Sequence, residues 1–176
     1  MTNTNTSSSG ANSDAIENLL AYLGNRDPID TFAETPDALR TATSGLSEGQ
    51  LRTLEAPGKW SILNVVQHLG HTELAIGLRY RMVLSEDAPP IQAIDQDHWV
   101  SALFPDDVSL EESLEDFSGL RAINLRLLRR VTAAQWQRYG IHNERGEETL
   151  GAMVRLYAAH DRYHLHQIQR ILDAQG

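Results

Sequence analysis

The chain contains no cysteine. That absence excludes disulfides, thiolate nucleophiles, Cys-ligated zinc and iron–sulfur clusters. Basic residues are also scarce: 15 Lys and Arg stand against 24 Asp and Glu, a formal net charge of -9. A nucleic-acid binder needs a basic patch to displace counterions from phosphates, and this balance argues against one. No apolar run reaches the roughly 18 residues of a membrane span. No Lys or Arg precedes Arg26, so the basic start of a secretory signal is missing and the expected setting is the cytoplasm. Glycine-rich phosphate loops, Gly-x-Ser-x-Gly elbows and His-Glu-x-x-His pairs are lacking as well. What is present is 41% hydrophobic residues in a chain of 176, enough to bury the core of one domain.

Residues 1–13 are almost entirely Asn, Thr, Ser and Gly. They read as a flexible polar tail, because such a segment buries too little to offset its ordering entropy. Residues 14–176 read as one domain. Ala15 to Leu23 is a short periodic stretch stopped at Gly24-Asn25. Asp27-Pro28 is an N-cap followed by proline at the first helical position, opening a helix to about Thr43 with a kink or break at Pro36. Ser47 to Gln50 and Ser109 to Glu112 are capping boxes. Between them, Trp60 to about Leu84 is helical, with Ile62, Val65, Val66, Leu69, Ile76 and Tyr80 on one stripe. Glu86 to Asp107 has three prolines and no sustained period, and reads as a long crossover. Leu114, Phe117, Leu120, Ile123, Leu127 and Val131 mark the next helix. Tyr139 to Gly146 reads as a loop, and Glu148 to Leu172 as the last helix, with Glu147 and Glu148 at its positive end. No strand-like alternation is evident. The expected fold is an all-α four-helix bundle with one long crossover between its second and third helices.

Seven histidines are the main concentration of reactive side chains: His68, His71, His98, His142, His160, His164 and His166. His160 and His164 lie four apart, so on a helix both rings leave the same face, one turn apart. Both flank the apolar stripe drawn by Leu150, Val154, Tyr157, Ile168 and Leu172, whereas His166 falls opposite it. On the second helix His68 borders the stripe and His71 points farther away. Helical phase therefore selects His68, His160 and His164. Three imidazoles without a fourth ligand make an open site of the catalytic kind, and imidazole suits zinc, nickel, copper or iron. The competing reading is a set of core-edge histidines hydrogen-bonded to carboxylates. Glu73 and Asp161 also fall on inward faces. Either could orient a ligating histidine or act as a general base, but the commoner reading is a buried salt bridge or a hydrogen bond to Trp60, Tyr157 or an Arg. Trp60, Trp99 and Trp136 read as core anchors.

Two stretches, PGKWSILNVVQHLGHTE (Pro57 to Glu73) and YAAHDRYHLHQI (Tyr157 to Ile168), resemble the signatures of the DinB-like superfamily. Within it the chain is most similar to the YfiT type, assigned as metal-dependent hydrolases and related to bacillithiol S-transferases. RYRMVLSEDAPPIQAIDQDHW (Arg79 to Trp99) and HNERGEETL (His142 to Leu150) carry that narrower likeness. The chain departs from that type at His71 and Glu73, and around the last motif, where Ala159 and Tyr163 precede the two histidines. The resemblance implies an up-down-down-up bundle. It implies a divalent metal, zinc or nickel, on His68, His160 and His164, and a homodimer, for which Leu63, Leu74 and Leu78 offer a contact face. It also implies a small-molecule substrate, acted on by hydrolysis or by transfer of a low-molecular-weight thiol; a non-catalytic metal-binding or interaction bundle is the alternative.

Overall fold

The structure is a computed structural model and describes residues 7–103 and 108–175. Its helices are α1 (Ser7–Leu20), α2 (Pro28–Thr43), α3 (Glu48–Arg52), α4 (Ile62–Ser85), α5 (Gln96–Leu103), α6 (Leu110–Leu128) and α7 (Leu150–Gln175). Three short strands, β1 (Pro90–Ile91), β2 (Tyr139–His142) and β3 (Gly146–Thr149), join them. The polar tail expected over residues 1–13 lies outside the described residues up to position 6, and α1 begins at Ser7. No helix among the described residues is long and apolar enough to cross a membrane.

Local chemistry fixes the helix starts. The Asp27 carboxylate accepts from the Ile29 and Asp30 amides, with Pro28 inside the first turn. Ser47 with Gln50 and Ser109 with Glu112 close capping boxes on α3 and α6. A third box, Ser61 with Asn64, opens α4; the asparagine in place of Glu or Gln hides it in the sequence. Pro36 does not break α2, which runs unbroken through it. Proline cannot donate to the carbonyl four residues earlier. That carbonyl, on Phe32, accepts from Arg121 Nη1 at 3.2 Å instead.

Bundle direction follows from two apolar clusters. Phe32, Ile76, Tyr80, Val83, Leu125, Leu128 and Val154 belong to one. Leu39, Val65, Val66, Leu69, Leu114, Phe117 and Ile168 belong to the other. α2 and α7 therefore run from the first cluster to the second, and α4 and α6 run back together. The order is up-down-down-up, with α4 and α6 parallel, so the chain must cross the length of the bundle between them. Between the clusters lies a polar belt: His68, Glu73, Arg121, Asn124, His160, Asp161 and His164 are all buried.

The helical periodicity of α6 differs from the expected one. Its buried face is Ser113, Leu114, Phe117, Arg121, Asn124, Leu125 and Leu128, while Ile123 is exposed. Of the residues that suggest the expected phase, Leu114 and Phe117 face inward, Leu120 and Leu127 lie on the flank, and the inward stripe itself carries three polar residues. Leu63, expected on an outer contact face, is in the core at 3% exposure, whereas Leu74 and Leu78 are exposed at 59% and 61%.

The crossover and the expected loop before the last helix are also more ordered than their sequences suggest. β1 pairs in parallel with β2, and β2 pairs antiparallel with β3. Glu147 and Glu148 are in β3 rather than at the start of α7. Gly146, at φ 75°, supplies the left-handed residue that closes the hairpin. The strands escape a periodicity search because the longest has four residues.

Candidate metal centre

α4 supplies one inward histidine and α7 two. His68 Nε2 lies 3.0 Å from His160 Nε2, and His164 Nε2 lies 3.1 Å from the same atom. All three residues are buried, and their candidate ligand atoms fall within 4.8 Å of one another. The structure thus brings together the three histidines that helical phase selects. His166 is exposed, with its ring edge against Tyr22.

The tautomers decide what such a cluster can hold. His164 Nδ1 lies 2.8 Å from Gln167 Oε1, and Gln167 Nε2 donates to Glu55 Oε2 at 2.9 Å. The amide oxygen therefore faces His164, so Nδ1 carries the proton and Nε2 presents a lone pair. A single proton on the central His160 Nε2 can serve one of its two close neighbours well. The nitrogen of the other neighbour is then left without a donor, because a protonated ring nitrogen has neither a second proton nor a lone pair to offer. A cation shared by the three nitrogens satisfies every contact, so these residues fit a metal.

Electrostatics favour the form that ligates. Burial, with His164 and His71 nearby, pushes the His68 imidazole down to about 2. Burial takes His164 to about 4, and burial together with His164 and His68 holds His160 well below the ordinary histidine range. At neutral pH all three are uncharged, so a cation need not displace protons to bind.

Trp60 is half-buried and lies on the cluster. Its ring centroid is 4.6 Å from His68 and 5.9 Å from His164, the latter stacked. It also packs against the second apolar cluster, as the core-anchor reading has it, but that reading left out the contact with the histidines. Trp136 does pack against the core, and Trp99 stands over His71. Glu73 and Asp161 take the salt-bridge reading. Both bind Arg121, at 2.8 and 2.6 Å, and not the histidines. The reading of histidines hydrogen-bonded to carboxylates is thereby removed for these two acids. The signal that could have found Arg121 is its position, four residues after Phe117 on the inward stripe and opposite two inward acids.

Two cavities flank the cluster. One of about 750 Å³ is lined by His160, His164, Trp60, Lys59, Asp97 and Tyr163, among others. A smaller one of about 250 Å³ lies on the His68 side.

The model of the DinB superfamily matches residues 31–168. The chain belongs to the DinB superfamily. Among its relatives, a protein of Geobacillus thermodenitrificans is 32% identical over 150 residues, 84% of each chain, and is named "Putative metal-dependent hydrolase". One of Oceanobacillus iheyensis with the same designation is 26% identical over 80% of this chain and 81% of its own. The solved structure of YfiT from Bacillus subtilis superposes with a TM-score of 0.79 at 24% identity, covering 99% of this chain and 94% of that one. That likeness establishes a YfiT-like four-helix bundle fold. The short sheet is an addition to the all-α expectation.

Proposed function

We propose that the protein is a divalent-metal-dependent enzyme, a hydrolase or a low-molecular-weight-thiol transferase, with zinc or nickel held by His68, His160 and His164. The observation that carries this reading is the meeting of three uncharged Nε2 atoms at 3.0 and 3.1 Å beside an accessible cavity. The names of the curated relatives support it. A bound ion would supply positive charge that lowers the pKa of a water or thiol at the position left open by three ligands.

The chain's own residues provide the rest. Gln167, held by Glu55, fixes the tautomer and ring plane of His164. Arg170 in turn holds Glu55 at 3.0 Å. Trp60 covers two of the rings and keeps water from their faces. The large cavity admits a small molecule to the open side of the cluster. Since the chain has no cysteine, a transferred thiol must be a cosubstrate.

Metal analysis of protein purified without chelator or a nickel column tests the assignment. His68→Ala, His160→Ala and His164→Ala should each lose most of the bound ion, and His166→Ala should keep it. Equal content in all four overturns the ligand set. Metal-loaded protein is then offered thiol plus electrophile, and hydrolysable esters and amides. Metal uptake with no turnover of either class would leave a metal-binding bundle instead. A homodimer, proposed through exposed Leu74, Leu78 and Ile123, is tested by light scattering, where a monomer at micromolar concentration rejects it.

A further inference from the structure

The smaller cavity beside His68 has a chemistry that the metal centre does not require. Arg79, from α4, is buried at 7% exposure and lines it. Its guanidinium donates to the Tyr157 hydroxyl and, at 2.7 Å, to the Gln92 carbonyl. Both partners are neutral. No carboxylate among the described residues lies within 4.0 Å of it, in contrast to Arg121 and Arg145. A buried charge without a counterion is costly, and the cost falls if an anion occupies the space beside it.

A second, independent donor is aimed into the same space. β2 alternates outward and inward, which turns His142 into the cavity at 2% exposure. Its Nδ1 accepts the Glu144 backbone amide at 3.2 Å, so the ring proton is on Nε2. That Nε2 is buried and has no hydrogen-bond partner. Arg145 also lines the cavity, paired with Glu148 at 2.8 Å, and Glu144 is the one acid in the lining among the described residues. Tyr157, which receives the Arg79 bond, has its ring 6.0 Å from His160. The cavity and the histidine cluster therefore share a wall.

We infer that this cavity is an oxyanion subsite, in which Arg79 and the His142 Nε2–H bind a carboxylate or phosphate group of the substrate. The inference rests on the proposed metal-centre reading for its functional sense: the acidic group seats beside His68, and the reacting atom reaches the three-histidine cluster. Charge-assisted bonds from a guanidinium and an imidazole N–H would orient the substrate, and molecules without an acidic group would bind poorly. Burial and the Arg145 charge lower the His142 pKa, so the ring acts as a neutral donor at pH 7 rather than as a second cation.

The test uses chelator-treated, full-length protein, with succinate and inorganic phosphate as probes and the His142 imidazole resonances as the readout. Working without metal separates this inference from the ligand assignment, which is judged by metal content alone. At least one probe should shift the His142 Nε2–H signal and bind saturably. Arg79→Gln should weaken that binding about tenfold or more, the usual effect of losing a charged hydrogen bond. Arg79→Lys should recover part of it. If Arg79→Gln does not fold, His142→Phe, which leaves the Arg79 bonds in place, should show the same loss by calorimetry. Preference for succinate or for phosphate identifies the oxyanion, and either supports the subsite. An unmoved His142 signal with both probes, or unchanged affinity in the variants, overturns it.

Discussion

Arg121 is the largest fully buried side chain among the described residues, and it is charged. Burial opposes that charge, but Asp161 and Glu73 outweigh it and the guanidinium stays protonated. The same side chain replaces the hydrogen bond that Pro36 cannot give to Phe32, and it stacks on the Phe32 and Phe117 rings at 4.2 and 4.7 Å. One residue thus ties α2, α4, α6 and α7 together. Arg121→Met should destabilise the protein by about 3–5 kcal/mol, because it leaves two buried carboxylates without a counter-charge. Urea unfolding measures this, and a loss below about 1 kcal/mol would show that the carboxylates find other partners or protonate cheaply. The inward acids were legible in the sequence, and so was the salt-bridge reading of them. Their partner was not, because the α6 stripe was drawn through apolar residues alone and so missed the arginine.

At the level of elements, the parallel approach of α4 and α6 depends on a small residue. A Cβ built on Gly77 would lie 2.5 Å from Asn124 Nδ2. Asn124 cannot swing away freely, since it donates to Glu73 Oε1 at 2.8 Å and accepts from Arg81 at 2.8 Å. Gly77→Ala should therefore cost about 1–3 kcal/mol, as overpacking does. Gly119→Ala, on an open face of α6 with nothing within 4 Å, should stabilise by about 0.4–1 kcal/mol. The two measured side by side separate close packing from helix propensity. If both variants gain stability, the tight contact is not limiting. Helices were the legible part of this fold: long apolar stripes and side-chain caps are local signals, and the Asp27-Pro28, Ser47 and Ser109 starts follow from them. The sheet was not legible. β1 has two residues and pairs with a strand some fifty positions later, so its existence depends on a crossover that only the assembled bundle brings into place. α5 was missed for a related reason, having no buried face to create a period.

For the molecule as a whole, acid should act through the buried histidines. Their folded pKa values lie below the ordinary 6.5, about 4 for His164 and about 2 for His68. The unfolded chain therefore binds more protons below pH 6.5. The stability linked to neutral burial is complete above that value and falls as pH drops toward the folded values. The slope is at most about 1.4 kcal/mol per pH unit for each histidine. A bound ion would add stability that a chelator removes, and proton competition should release it before the apolar clusters give way. Thermal melts with and without chelator, from roughly pH 8 to pH 5.5, check both effects. If the chelator leaves Tm unchanged throughout, the metal site is rejected. If Tm is flat between those pH values in chelator-treated protein, the buried-histidine account fails.

The placement of α5 bears on how such a protein can diversify. The three histidines sit in helices of 24 and 26 residues whose neighbours bear most of the core, so replacing those neighbours endangers the fold. α5 contributes Gln96 to both cavities, Trp99 to one and Asp97 to the other, yet it has no buried residue. Exchanges along it should reshape the cavity walls at little expense in folding free energy. The lining of both cavities can thus vary along α5 without touching the helices that carry the core.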